Sequence, residues 1–146
     1  MEIEYIPLSW ALTVHDIVLK ESGGLKGLKD VGQLESVLAH IKNNDYYPSI
    51  VEKAAHLIYS IAMFHVFSDG NKRTALAIGA YFLTINGYTE CHDRFYRDME
   101  ALLLMLAEKR ISKEQLQVYI ECIIFDIDYP EALKLRLINY INESTS

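Results

Sequence analysis

Two apolar stretches with helical spacing flank one short, crowded polar turn. No other feature of the chain restricts the fold as much. Upstream, Ala54, Ala55, Ile58, Ile61 and Ala62 recur at the intervals of a single helix face. Downstream, Ala75, Leu76, Ile78, Gly79, Phe82 and Leu83 do the same, until Asn86-Gly87 supplies a C-cap signal. Between them runs Phe64-His-Val-Phe-Ser-Asp-Gly-Asn-Lys-Arg-Thr74. The pattern predicts two buried helices joined by a tight loop, with an imidazole, a carboxylate, an amide and two cations gathered at the bend.

The chemistry of that bend is specific. Gly70 permits a left-handed turn or a close backbone approach. Asn71 is placed to cap the following helix, whose first N–H groups lack intrahelical partners. A helix N-terminus favours anions, so Lys72 and Arg73 in the first turn oppose the dipole. That local cost makes sense if a phosphate sits there. Asp69 is a hard oxygen ligand at the same mouth, suited to Mg²⁺ shared between one carboxylate and phosphates. His65 has an unperturbed pKa near neutrality and is the natural general base. Taken singly, each residue reads as ordinary structure: a core histidine beside two phenylalanines, a turn aspartate, solvated cations. Together in one loop they describe transfer from a nucleotide to a hydroxyl.

His65-Val-Phe67-Ser-Asp69-Gly70-Asn71-Lys72-Arg73 resembles the signature of the Fic/Doc superfamily. The broad Fic pattern is His-x-Phe-x-Asp/Glu-Gly-Asn-Gly-Arg, followed after two residues by a second Arg. Here Lys72 replaces the second Gly and Leu76 replaces the second Arg. Both departures match the death-on-curing (Doc) branch, whose loop reads Asp-Ala-Asn-Lys-Arg followed by Thr-Ala-Leu; Gly70 in place of that Ala is Fic-like. Gly23-Gly-Leu-Lys-Gly-Leu-Lys-Asp30 is similar to a second Doc-like stretch, and Val14-His15-Asp16 resembles the Leu-His-Asp that Doc-like chains carry in the first helix. The resemblance runs from about Leu12 to Tyr88.

Length and composition bound the alternatives. At 146 residues with 51% hydrophobic residues, the chain reads as one domain with a real core. A net charge of −6 disfavours a nucleic-acid backbone as partner. Cys91 and Cys122 lack the neighbours of a metal or redox motif and read as buried filler. The acidic start, Met1-Glu2-Ile3-Glu4, does not resemble a signal peptide, and no apolar run reaches membrane-spanning length. A soluble, cytoplasmic protein is expected.

Along the rest of the chain, Ser9 is expected to cap a first helix ending at Gly23-Gly24, with His15 and Asp16 as polar surface or structural residues. Asp30 and Ser49 are expected to cap the second and third helices. Lys42–Pro48 is a loop by composition, and the resemblance implies that it is the flap that guides the target chain; His56 reads as packing or surface. Asp93 or Asp98 should open a fifth helix, and Ser112-Lys-Glu-Gln115 reads as a capping box. Pro130 suits the first turn of a last helix, whose tail from Asn142 should fray. No strand alternation is visible. The expected fold is all-α, a helical bundle of about six helices, which is also what the resemblance implies.

The resemblance implies roles as well. His65 takes a proton from a target hydroxyl; Phe67 anchors the loop in the core; Asp69 holds Mg²⁺; Gly70, Asn71, Lys72 and Arg73 bind the phosphates of ATP or another nucleoside triphosphate. Lys72 in place of the Fic glycine implies Doc-type phosphorylation of a protein target, elongation factor Tu, over AMPylation. A Doc-type toxin is restrained by an antitoxin with a disordered helical tail, and no inhibitory Ser/Thr-x-x-x-Glu-Gly/Asn stretch occurs in this chain. A nucleotide-binding module without turnover is the alternative from another class; the intact His65 and Asp69 stand against it.

Overall fold

In the computed structural model, which describes residues 2–25, 27 and 30–145, the chain divides into two compact units, residues 1–89 and 90–146. The first holds α1 (Leu8–Ser22), α2 (Val31–His40), α3 (Ile50–Met63) and α4 (Asn71–Ile85). The second holds α5 (His92–Ala107), α6 (Lys113–Phe125) and α7 (Glu131–Thr145). The described residues are all-α apart from an isolated bridge at Phe67. Among the described residues seven helices form, against an expected count of about six, and the breaks on either side of α6 fall where they were expected. Lys109 (φ 61°) and Asp126 (φ 54°) both adopt the left-handed conformation that ends a helix.

The first unit is built around α3. A Ser49–Glu52 capping box starts it, and burial nearly all round makes it the central helix. It packs most extensively on α4. Their buried faces are rich in small residues (Ala54, Ala55, Ala62, Ala75, Gly79, Ala80), which lets two helix axes approach closely. α4 ends as its sequence predicts: Gly87 takes φ 88°, and Tyr88 N–H donates to the Leu83 carbonyl. Lys53 is 1% exposed. Its Nζ donates to the Ile41 carbonyl (2.6 Å) and to Asn44 Oδ1 (2.7 Å), tying the end of α2 and the connector after it to α3. His56 packs as expected, stacked on Tyr47 at 4.4 Å.

Several local expectations are corrected. α1 begins one residue before Ser9, after Pro7, whose fixed φ of −71° pre-sets the helix start. α5 begins at His92, with Asp93 in its first turn and Asp98 buried in its interior. α7 continues through Thr145. The proposed flap is the largest correction. Lys42–Pro48 sits at the N-terminal end of α3, with Tyr47 held against His56, whereas the polar loop follows the C-terminal end. Fourteen helical residues put roughly 20 Å between those ends. The segment after α1 lies against the polar loop instead.

In the second unit α5 packs on both α6 and α7. A Ser112–Gln115 capping box starts α6 as predicted. Buried Asp98 accepts from the Tyr129 hydroxyl (2.6 Å) and pairs with Arg97 (2.9 Å), while Arg94 lies over the Tyr129 ring at 4.4 Å. Among the described residues no helix is long and apolar enough to cross a membrane.

Candidate active site

The loop between α3 and α4 alternates outward and inward residues. Phe64 and His65 are exposed, Val66 and Phe67 are buried, and Gly70 is buried again beneath Asp69. His65 takes φ 52°, a left-handed conformation costly for a residue with a Cβ. That twist carries its imidazole out to solvent while the next two side chains turn into the core. Gly70, at φ 75° and ψ 19°, occupies the N-cap position of α4. An added Cβ there would lie 3.2 Å from Leu19 and 3.9 Å from His15.

Asn71 does not cap α4. Its Nδ2 donates to the Phe67 carbonyl and its Oδ1 accepts from the Phe67 N–H, both at 3.0 Å. The carboxamide thereby replaces the strand partner Phe67 would otherwise need. The helix start carries no side-chain cap, which leaves its mouth open to a ligand.

The glycine-rich segment braces the other side. Ser68 N–H donates to the Gly27 carbonyl (3.0 Å), and Asp30 N–H donates to the Val66 carbonyl (3.2 Å), a short strand-like pairing. Asp69 Oδ2 accepts from Leu25 N–H (3.1 Å) and Oδ1 from Gly70 N–H (2.8 Å). Those two amides, aided by the Arg73 charge, hold the carboxyl below the usual carboxylate range. Arg73 donates to the carbonyls of Ser22, the last residue of α1 (3.3 Å), and Gly23, its C-cap (3.4 Å). His15, expected as a surface or structural residue, is 3% exposed and structural. Its ring stacks on Phe67 at 3.7 Å and 7°, and its Nε2 lies 3.0 Å from the Asp69 carbonyl oxygen. The signal was present: Ala11, His15 and Leu19 form one i, i+4, i+8 stripe, and all three are buried.

These residues surround a cavity of 330 Å³ lined by Ala62, His65, Ser68, Asp69, Gly70, Asn71, Lys72 and Arg73. The volume suits part of a nucleotide. Every residue assigned to chemistry from the sequence therefore lines one space, except Phe67, which is buried beneath it. A larger cavity of 630 Å³ in the second unit is lined by the Arg94, Arg97, Asp98 and Tyr129 network. Those groups already satisfy one another, so size does not make it the better site.

Asp69 has room for a cation. An ionised carboxylate has about four lone-pair positions, and two are taken by the Leu25 and Gly70 amides. Among the described residues no three His, Cys, Asp or Glu side chains gather to hold a metal. The site thus fits an ion such as Mg²⁺ that takes one protein carboxylate and completes its shell with phosphate and water.

Comparison with known proteins bears on the family. The chain is similar to the "Protein kinase doc" of Escherichia phage P1, 34% identical over 79 residues that cover 52% of this chain and 63% of that protein. It is also similar to the "Toxin Doc" of Mycolicibacterium smegmatis (strain ATCC 700084 / mc(2)155), 39% identical over 88 residues, covering 58% of this chain and 65% of that one. In both, the match spans less than two thirds of the relative's length. The model of the family described as "Fic/DOC family" matches residues 5–83, from just before α1 nearly to the end of α4. With more than half of its length matched, the polar loop included, the chain belongs to the Fic/DOC family.

Proposed function

We propose that this protein is a nucleotide-dependent transferase that modifies a hydroxyl side chain of a target protein. The proposed reaction is Doc-type phosphorylation of a translation factor, elongation factor Tu, by the toxin of a toxin–antitoxin pair. The observation that carries this reading is the shared cavity: exposed His65 faces the same space as Asp69, Lys72, Arg73 and the uncapped start of α4.

In this reading His65 accepts the proton of a Ser, Thr or Tyr hydroxyl. The freed oxygen bonds to the terminal phosphorus of the donor as the bridging P–O bond breaks, and the nucleoside diphosphate leaves with the electron pair. Lys72, Arg73 and the first amides of α4 bind the phosphates, and left-handed Gly70 lets the backbone come close to them. Arg73 has five N–H donors, so its bonds to Ser22 and Gly23 leave donors for an anion. Asp69 would hold Mg²⁺, which supplies charge neutralisation on the phosphates when bound. Asn71 contributes by holding the loop through Phe67. Phosphoryl transfer needs chiefly positioning and charge, and this loop offers both. Lys72 in the place of the Fic glycine favours transfer of the terminal phosphate over transfer of AMP. The name of the Mycolicibacterium smegmatis relative, a toxin, supports an antitoxin partner.

The test is incubation of the protein with purified elongation factor Tu, and separately with a bacterial lysate, in the presence of ATP labelled at the α- or the γ-phosphate. Label entering protein from the γ position alone is expected. Label from the α position would replace phosphorylation by AMP transfer, and nucleotide binding with no label in any protein would favour a binding module.

A further inference from the structure

We infer that His15 is a positioning residue for the Asp69 carboxylate, acting through the Asp69–Gly70 peptide plane; the inference rests on the proposed role of Asp69. His15 lies on α1, 54 positions from Asp69, yet its Nε2 sits 3.0 Å from the Asp69 carbonyl oxygen. A carbonyl only accepts, so Nε2 carries the proton and donates. The ring cannot rotate away easily, because it is stacked on Phe67 at 3.7 Å and 3% exposed.

The consequence follows from peptide geometry. The Asp69–Gly70 peptide is trans, as are all peptide bonds among the described residues, so the Asp69 carbonyl and the Gly70 N–H point in opposite directions from one rigid plane. Fixing the carbonyl toward His15 fixes the N–H on the other side. That N–H donates to Asp69 Oδ1 at 2.8 Å. Gly70, with φ 75° and no Cβ, would otherwise let this plane turn. Leu25 N–H holds the second oxygen at 3.1 Å. Both carboxylate oxygens are therefore aimed by backbone amides, and the orientation of one amide is set by a side chain buried in another helix. Supporting groups of this kind, one step removed from a metal ligand, commonly alter metal affinity by 10- to 100-fold.

Two variants separate this role from packing. His15→Phe keeps a ring to stack on Phe67 and removes the donor. His15→Gln supplies an amide donor without the ring. Two measurements apply to each: hydrogen exchange at the Gly70 amide by NMR, and calorimetric ATP affinity with Mg²⁺ and with EDTA. For His15→Phe the expected result is Gly70 exchange about tenfold faster and roughly a tenfold smaller gain in ATP affinity on adding Mg²⁺. Affinity in EDTA should stay unchanged, and His15→Gln should recover part of both losses. Wild-type Gly70 exchange and a wild-type Mg²⁺ gain in folded His15→Phe would overturn the inference. So would an equal loss of affinity with and without metal. If His15→Phe does not fold, His15→Gln decides alone: retained Gly70 protection supports the role, and lost protection overturns it. A wild-type protein that binds no nucleotide would sink the proposed function, while the Gly70 exchange comparison would still decide whether His15 braces the plane.

Discussion

The carboxamide of Asn71 closes on both backbone groups of Phe67, donating to its carbonyl and accepting from its N–H at 3.0 Å each. This clasp pulls Phe67 into the core, and the same short loop then presents His65 to solvent and Asp69 to the cavity. Replacing Asn71 with Ala leaves two Phe67 backbone groups without partners. Each orphaned buried group costs about 1–3 kcal/mol. Asn71→Ala should therefore lose about 2 kcal/mol or more in denaturant unfolding and most of its transferase activity. Asn71→Asp keeps only the acceptor and should fall between. Full activity in Asn71→Ala would show that the loop holds its shape without the clasp.

Adjacent glycines should behave differently. Both Gly23 (φ 77°) and Gly24 (φ 129°) disfavour a side chain, and Gly23→Ala meets nothing within 4 Å. It should cost about 1–3 kcal/mol in backbone strain, because φ 77° with ψ 174° is a region that glycine alone adopts freely, and leave the Mg²⁺ requirement alone. A Cβ at Gly24 would lie 2.8 Å from Asp69 Oδ2 and 3.0 Å from Leu19. Gly24→Ala should push the carboxylate off its Leu25 amide and raise the Mg²⁺ concentration needed for half-maximal ATP binding severalfold. Equal metal dependence in the two variants would argue that the brace on Asp69 is unimportant.

Much of this architecture is legible in the sequence because its signals are local. Asp30, Ser49, Ser112 and the Asn86-Gly87 pair act where their neighbours three or four residues away predict. The site residues are legible for the same reason: they are consecutive. What was hidden depends on distant partners. Nothing near His15 announces Phe67, and nothing in Gly23-Gly-Leu25 announces that its amide will meet Asp69, 44 positions away. The connector expected as the flap, Lys42–Pro48, lies at the far end of α3, whereas backbone pairing, which carries no residue signature, joins Gly27 and Asp30 to the polar loop. Asn71 satisfies every rule for an N-cap, yet the left-handed Gly70 takes that position and frees Asn71 for Phe67.

The second unit should respond to pH at both extremes. Burial alone would raise the Asp98 carboxyl, but the Arg97 and Tyr129 hydrogen bonds more than offset it and hold it below 3.8. The unfolded chain then binds a proton near pH 4 that the folded chain does not, so stability falls as the medium is acidified below that point. Burial and the bond to Asp98 push the Tyr129 hydroxyl well above 10.0. There the folded chain keeps a proton that the unfolded chain loses, so stability falls as pH rises past 10. Tyr129→Phe should shrink the alkaline loss, leaving the part due to Tyr96, Tyr119 and Tyr140, and, by removing a donor to a buried carboxylate, cost about 1.5–3 kcal/mol at neutral pH. An unchanged alkaline limb in denaturant melts of Tyr129→Phe would contradict this assignment.

His65 offers the most direct test of the central claim, that this loop is a catalytic site. The residue is exposed and holds φ 52°, a conformation that glycine adopts freely. If it serves folding, removing it should weaken the protein; if it serves chemistry, removal should leave stability intact and stop the reaction. The deciding measurement is the transfer of label from γ-labelled ATP to protein by wild type and His65→Gly, with unfolding free energy measured on both. The account predicts that His65→Gly is as stable as wild type or up to about 1 kcal/mol more stable, and transfers at least a hundredfold more slowly. Transfer at the wild-type rate by the folded variant would contradict it.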